Sequence, residues 1–117
     1  MNTKRKIRNL LQKRVLILDG ATGTELHARG MPTGVCPEMW CIENPDALHT
    51  IHAAYKKAGS DIVFTFTFGA NRMKLREYGI ENARNINTQL ALLAKRAVGK
   101  EVLVAGNIGP TGHFIEP

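Results

Sequence analysis

Val15-Leu16-Ile17-Leu18-Asp19-Gly20-Ala21-Thr22-Gly23-Thr24 is the stretch that decides how the chain is read. Four apolar residues, β-branched at Val15 and Ile17, run straight into an acid, two glycines and two threonines. A short apolar run that ends so abruptly predicts a strand buried on both faces, the kind found in parallel sheets. Asp19 then stands at the carboxyl end of the strand, where the strand-to-helix loops of parallel α/β folds gather around a ligand. Gly20 and Gly23 let the backbone turn tightly or approach a ligand closely. Two roles suit the acid: accepting from an amine or hydroxyl of a ligand, or capping a backbone N–H of the next helix.

Downstream the pattern repeats. Thr24 to Arg29 predicts a short helix, broken by Gly30 and by Pro32-Thr33-Gly34. Residues 30–43 read as a long irregular loop that carries Cys36, Cys41 and the single tryptophan, Trp40, which would pin the loop to the wall behind it. Asn44-Pro45-Asp46 is a helix start, with a cap, a proline at the first helical position and an acid for the dipole. Leu48, Ile51, His52 and Tyr55 follow at i, i+3, i+4 and i+7 and make one buried stripe, with His52 expected as a hydrogen-bonded packing residue. Gly59 suits the left-handed cap that ends this helix.

Ile62 to Phe68 predicts a second strand, with Phe64, Phe66 and Phe68 on one face and Val63, Thr65 and Thr67 on the other. The threonines suit either a polar ligand or local bonding. Gly69-Ala70-Asn71 turns the chain, and a short helical piece runs to Tyr78 and Gly79. A long helix is expected from Glu81 to Val98, with Ala83, Ile86, Leu90, Leu93, Ala94 and Ala97 inward and Gly99 as its stop. Val102 to Ala105 is a third buried strand, ending in the polar loop Gly106 to Gly112. Strands about forty residues apart, each ending in small polar residues, argue for parallel α/β units with right-handed crossovers and all three ends on one side. A (β/α)8 barrel needs about 250 residues. The chain therefore reads as the N-terminal portion, about three βα units, of such a barrel, in a single stretch without repeats or linkers.

Composition narrows the function. The 117 residues are 44% hydrophobic and 22% charged, as in ordinary globular domains. No apolar run approaches the ~20 residues of a membrane span, and the run after the basic start is too short for a signal peptide, so a cytoplasmic protein is expected. The net charge of +6 belongs to one arm. Residues 1–14 hold Lys4, Arg5, Lys6, Arg8, Lys13 and Arg14 with no acid, while the rest of the chain balances. Lacking interleaved aromatics for base stacking, the arm reads as the solvated face of a helix whose Ile7, Leu10 and Leu11 cover a core. Neither a nucleic acid nor a membrane is the expected partner. Cys36 and Cys41 make no disulfide framework, and a metal site on them would need two further ligands, with His27 and His49 near only in sequence.

Several familiar chemistries do not fit. Gly20-x-x-Gly23 lacks the length and lysine of a phosphate loop. Gly106, Gly109 and Gly112 are not in dinucleotide-binding spacing, and Pro110 would disrupt the helix that such a loop opens. No nucleophile elbow or H-E-x-x-H motif is present, and Asp19 with Glu25 is not a credible acid–base pair.

Taken in order, Asp19-Gly20-Ala21-Thr22-Gly23-Thr24, Asn44-Pro45 with His52 and Tyr55, Ala58 to Val63, Thr65 to Asn71 and Ala105 to Gly112 resemble the homocysteine S-methyltransferase family. Within it, they most resemble the N-terminal homocysteine-binding module of cobalamin-dependent methionine synthases. The resemblance implies a (β/α)8 barrel that transfers a methyl group to the thiol of homocysteine, giving methionine. It implies a zinc ion, held by three cysteine thiolates later in the barrel, that favours the substrate thiolate. Cys36 and Cys41 do not match those positions, so no zinc ligand is assigned in this chain. By resemblance, Asp19 accepts from the substrate ammonium, Gly20 and Ala21 place backbone groups near its carboxylate, and Thr65, Phe66 and Thr67 form a wall. Phe66 stands where many methionine synthase modules carry asparagine, which leaves a methylcorrinoid (hence cobalamin), betaine or a sulfonium compound as methyl donor. On this reading residues 1–117 are a partial barrel domain, inactive alone, with 1–14 as its basic helix or arm. The competing reading is a non-catalytic half-barrel module that self-associates through open sheet edges.

Overall fold

The computed structural model describes residues 2–116. Its elements, in order, are α1 Thr3–Leu11, α2 Gly23–Ala28, α3 Pro37–Glu43, α4 Pro45–Ala58, β1 Ile62–Phe64, α5 Arg72–Arg76, α6 Ala83–Val98 and β2 Leu103–Ala105. β1 and β2 pair in parallel, with Ile62 opposite Leu103 and Phe64 opposite Ala105. Leu18 adds a single parallel bridge to Ile62 on the other side of β1. The three chain segments thus lie side by side in sequence order and run the same way, as expected of consecutive βα units.

The two long helices form where periodicity and punctuation agree. On α4, Leu48, Ile51 and His52 are buried, and Gly59 closes the helix at φ 103° while Ser60 N–H donates to Tyr55 O at 3.1 Å. On α6, Ile86, Leu90, Ala94 and Val98 recur every fourth residue and are all buried. These two stripes face each other. Leu48 and Ile51 of α4 and Ile86 and Leu90 of α6, with Leu26 of α2, Cys41 of α3 and Leu75 of α5, make the main core. A smaller cluster of Val63, Val98 and Val102 fixes α6 to the strands. Leu90 is fully enclosed, so Leu90→Ala is expected to lower unfolding stability by about 2–5 kcal/mol. A shift of the urea midpoint at unchanged slope would show it; a loss below 1 kcal/mol would mean that the helices do not pack as described.

Helices cover one face of the sheet only. Val63, Thr65 and Thr67 point into the covered side and are at most 6% exposed, whereas Phe64 and Phe68 face outward and are 37% and 55% exposed. The molecule is accordingly a slab, 45 × 40 × 23 Å. The open face explains where the first expectation fails. Val15 to Leu18 is no doubly buried strand: Val15 is 83% exposed, Ile17 and Leu18 are about half exposed, and only Leu18 bridges. Burial on two faces needs a layer on each, and this chain supplies one.

Other expectations change locally. The predicted loop 30–43 contains α3, begun by Pro37 at the first helical position and Glu38 in the first turn. Trp40 sits on this helix, half-buried against the main core. The second strand ends at Phe64, although its alternation of exposure continues to Phe68. The third begins at Leu103, and its residues are half-buried. Asn44 does not cap α4 with its side chain; its Nδ2 donates back to Trp40 O at 3.0 Å and closes α3. The basic arm is helical, but Ile7 and Leu10 are only half-buried, Leu11 is exposed, and none of the three belongs to either core cluster. What holds the arm's end is Arg14, whose guanidinium takes both oxygens of Asp61. Asp61 Oδ2 also accepts from Ile17 N–H at 2.9 Å, and these donors hold the carboxyl well down, to about 2.

Candidate functional site

The loops at the carboxyl ends of the strands are laced together. Thr67 donates its hydroxyl to Asn107 O at 2.8 Å, Asn107 N–H donates to Thr65 Oγ1 at 3.1 Å, and the two threonine hydroxyls bond each other at 2.7 Å. Phe68 is wedged against the second loop so closely that a Cβ on Gly109 would overlap Phe68 O. Thr65 and Thr67 are buried, and their hydroxyls serve this junction. Between it, α3 and the loop after Leu18 lies a cleft of about 420 Å³, lined by Asp19, Gly20, Glu38, Thr65, Phe66 and Phe68 among others. The structure thus gathers Asp19, Gly20, Thr65 and Phe66 around one cleft. Ala21 adjoins it in the chain, and Thr67 stands behind the wall.

Asp19 does not cap α2. Its Oδ2 accepts from Phe64 N–H across the sheet at 3.2 Å. Its Oδ1 is sealed from solvent and has no partner among the described residues. Burial raises the carboxyl above the usual carboxylate range, and the Phe64 N–H partly offsets this. The site therefore holds a carboxylate with one oxygen anchored and the other unmet. Tyr55 fixes the backbone beside it by donating to Ala21 O at 2.6 Å. The ring lies so near that a Cβ on Gly20 would come within 3.0 Å of the phenol oxygen, which explains glycine at 20.

Glu38 was not singled out by its sequence context. The carboxylate is only 5% exposed, and Oε1 accepts from Gly69 N–H at 2.8 Å. Cys36 donates its thiol to Oε2 at 3.6 Å. The Pro37-Glu38 pair could have announced a helix start, but nothing local announces that the acid turns inward.

The sulfur and imidazole groups do not converge. Cys36 and Cys41 are free and buried, and burial and the Glu38 charge push the Cys41 thiol up to about 12. Cys36 is the extended N-cap of α3 and Cys41 lies in its second turn, and the two thiols are not joined. His27 Nδ1 is bonded to Met31 O at 2.8 Å. His52 is buried as expected, but neither ring nitrogen has a partner among the described residues, so it is not a hydrogen-bonded packing residue. Among those residues no group of three or more His, Cys, Asp or Glu side chains could hold a metal. The residues present do not fit the ligation of zinc.

The family model for homocysteine S-methyltransferase matches residues 16–117. The chain belongs to the homocysteine S-methyltransferase family. Homocysteine S-methyltransferase of Escherichia coli K12 is 30% identical over 98% of this chain, and methionine synthase of Mycobacterium tuberculosis is 34% identical over 87% of it. The crystal structure of the homocysteine methyltransferase MmuM from E. coli matches at 28% identity and a TM-score of 0.75 in its metallated form, and at 30% and 0.76 in its oxidised form, each over 91% of this chain. The chain spans 42% of the E. coli relative and 10% of the mycobacterial one. The members matched are thus considerably longer than the slab described above. No helix among the described residues is long and apolar enough to cross a membrane.

Proposed function

We propose that this chain supplies the amino-acid end of a homocysteine site in a (β/α)8 barrel that moves a methyl group onto the homocysteine thiol, giving methionine. The observation that carries this reading is Asp19: a half-satisfied, partly buried carboxylate at a strand end, in a chain of this family. The substrate ammonium would donate to it, relieving the cost of the unmet acceptor and the buried charge. Gly20 and Ala21 place backbone groups beside the substrate carboxylate. Thr65 and Phe66 form the wall, with Thr67 tying that wall to Asn107. In the reaction the sulfur forms a bond to the methyl carbon as the donor–methyl bond breaks, and the thiol proton leaves. Zinc, as the resemblance implies, would favour the thiolate in a complete domain, with ligands outside the described residues. The donor is a methylcorrinoid such as methylated cobalamin, betaine or a sulfonium compound. Residues 1–117 then form one partial domain with 1–14 as its basic arm. The free thiols suit a cytoplasmic setting.

Titrating the isotope-labelled 117-residue chain with L-homocysteine under reductant tests this. Amide shifts centred on Gly20 and Ala21 are expected, and their absence at millimolar ligand would overturn the reading. The exposed apolar face of Val15, Ile17 and Phe68 favours a second reading, a self-associating half-barrel. Sedimentation as a well-folded monomer would remove it.

A further inference from the structure

We infer that Glu38 is a positioning residue that holds the aromatic wall at its working distance from Asp19. The inference rests on the homocysteine reading of the cleft. An acid in the first turn of a helix ordinarily faces solvent and its own N-terminal N–H groups. Glu38 instead crosses to a loop thirty-one residues away and accepts from Gly69 N–H at 2.8 Å. Gly69 follows Phe68 directly, so this bond fixes the last residue of the wall. The fit is reciprocal: a Cβ on Gly69 would stand 2.7 Å from Glu38 Oε1. Cys36, at the N-cap of the same helix, donates to the other oxygen at 3.6 Å and sets the direction of the carboxylate.

Beyond the wall, Asn87 Nδ2 of α6 donates to Ala70 O at 2.6 Å; the wall itself is held from two sides. On one side Thr65, Thr67 and Phe68 are joined to the loop after β2 by the Asn107 bonds and the close approach of Gly109. On the other side, Glu38 provides the hydrogen bond from α3 among the described residues. Asp19 belongs to neither attachment; its own anchor is Phe64 N–H at the start of the wall. Releasing Glu38 would leave both the charge at Asp19 and the junction with Asn107 intact. It would loosen Gly69, and with it the α3 side of Phe68, while the Gly109 side stays held, and a misplacement of about 1 Å is enough to cost a site much of its performance.

The test compares Glu38→Ala, Glu38→Gln and the unaltered 117-residue chain in L-homocysteine titrations, with circular dichroism melts as the measure of folding. Glutamine keeps a carbonyl oxygen for Gly69 N–H. Glu38→Gln is expected to bind within about threefold of the unaltered chain, and Glu38→Ala about tenfold or more weakly at a matched melting curve. Amide exchange at Gly69 should be slow in the unaltered chain and in Glu38→Gln, and fast in Glu38→Ala. If Glu38→Ala does not fold, Gly69→Ala decides, because it displaces the carboxylate without removing it and should weaken binding equally. Equal affinity in the unaltered chain and in the variant that folds overturns the positioning role and leaves the homocysteine reading standing. No response at Gly20 and Ala21 in the unaltered chain overturns the homocysteine reading, and the positioning role with it.

Discussion

Asp19→Asn is expected to weaken homocysteine binding by about a hundredfold, close to 3 kcal/mol, while leaving the fold no less stable. The two effects part because the charge works against the empty protein and for the complex. In the free chain the carboxylate is partly buried, one oxygen is unmet, and burial raises its pKa. An amide of the same shape can still accept from Phe64 N–H through its oxygen, and it carries no charge to desolvate. In the complex the amide nitrogen then stands where Oδ1 stood and cannot accept from the ammonium, so the charge-assisted bond and the Coulomb attraction are both lost. The same logic gives a pH dependence. As pH falls into the raised titration range of Asp19, the carboxyl takes up a proton and homocysteine affinity should fall; in Asp19→Asn that fall should vanish. Calorimetric titration at several pH values, with urea unfolding of both proteins, checks each part. Equal affinity in the two proteins would remove Asp19 from the site.

How much of this was legible in the chain depends on how local the cause is. Gly59 could be placed at a left-handed cap, and Ile86, Leu90 and Ala94 on one face of α6, because spacing and punctuation act within a few residues. That Asp19 and Gly20 close an apolar run at a strand end was legible for the same reason, but the choice between a helix cap and a free acceptor was not, because it depends on Phe64 N–H, forty-five residues away. Val15 to Leu18 misled because an apolar run states what a strand prefers to bury against, and the neighbours decide whether it can. Here only one covering layer is present, and Ile17 remains 59% exposed. Glu38 was illegible because its burial depends on Gly69, thirty-one residues further on, and no sequence period links the two. His52 fell between these cases: its stripe fixed its burial, but hydrogen-bond partners come from neighbouring elements, and none of the described residues provides one.

That enclosed imidazole gives the chain an acid-sensitive core. His52 is 1% exposed, and its pKa is lowered to about 4, chiefly by burial and then by the charge of His49 one turn earlier. Above about pH 6.5 the ring is neutral in both folded and unfolded chains, and titration contributes nothing to the balance. As pH falls from there, the unfolded chain binds a proton that the folded chain refuses, so unfolding stability declines. Below about 4 both states are protonated and the decline stops. With about 1.4 kcal/mol for each unit of separation, the loss between neutral pH and pH 4 is about 3 kcal/mol. Asp61 acts in a different window. Its pKa, held down to about 2 by Arg14, supports the fold above the ordinary carboxylate range and is lost only as pH drops further toward 2. Asp19 acts in the opposite sense, since burial raises its pKa and protonation relieves the folded chain. Comparing the unaltered chain with His52→Leu isolates the imidazole, because both carboxyls are common to the two. The stability difference between them should shift by about 3 kcal/mol in favour of His52→Leu on going from pH 7 to pH 4. Parallel stability curves across that range would mean that the ring gains a partner or solvent on protonation, and that the core around α4 opens more readily than its packing implies.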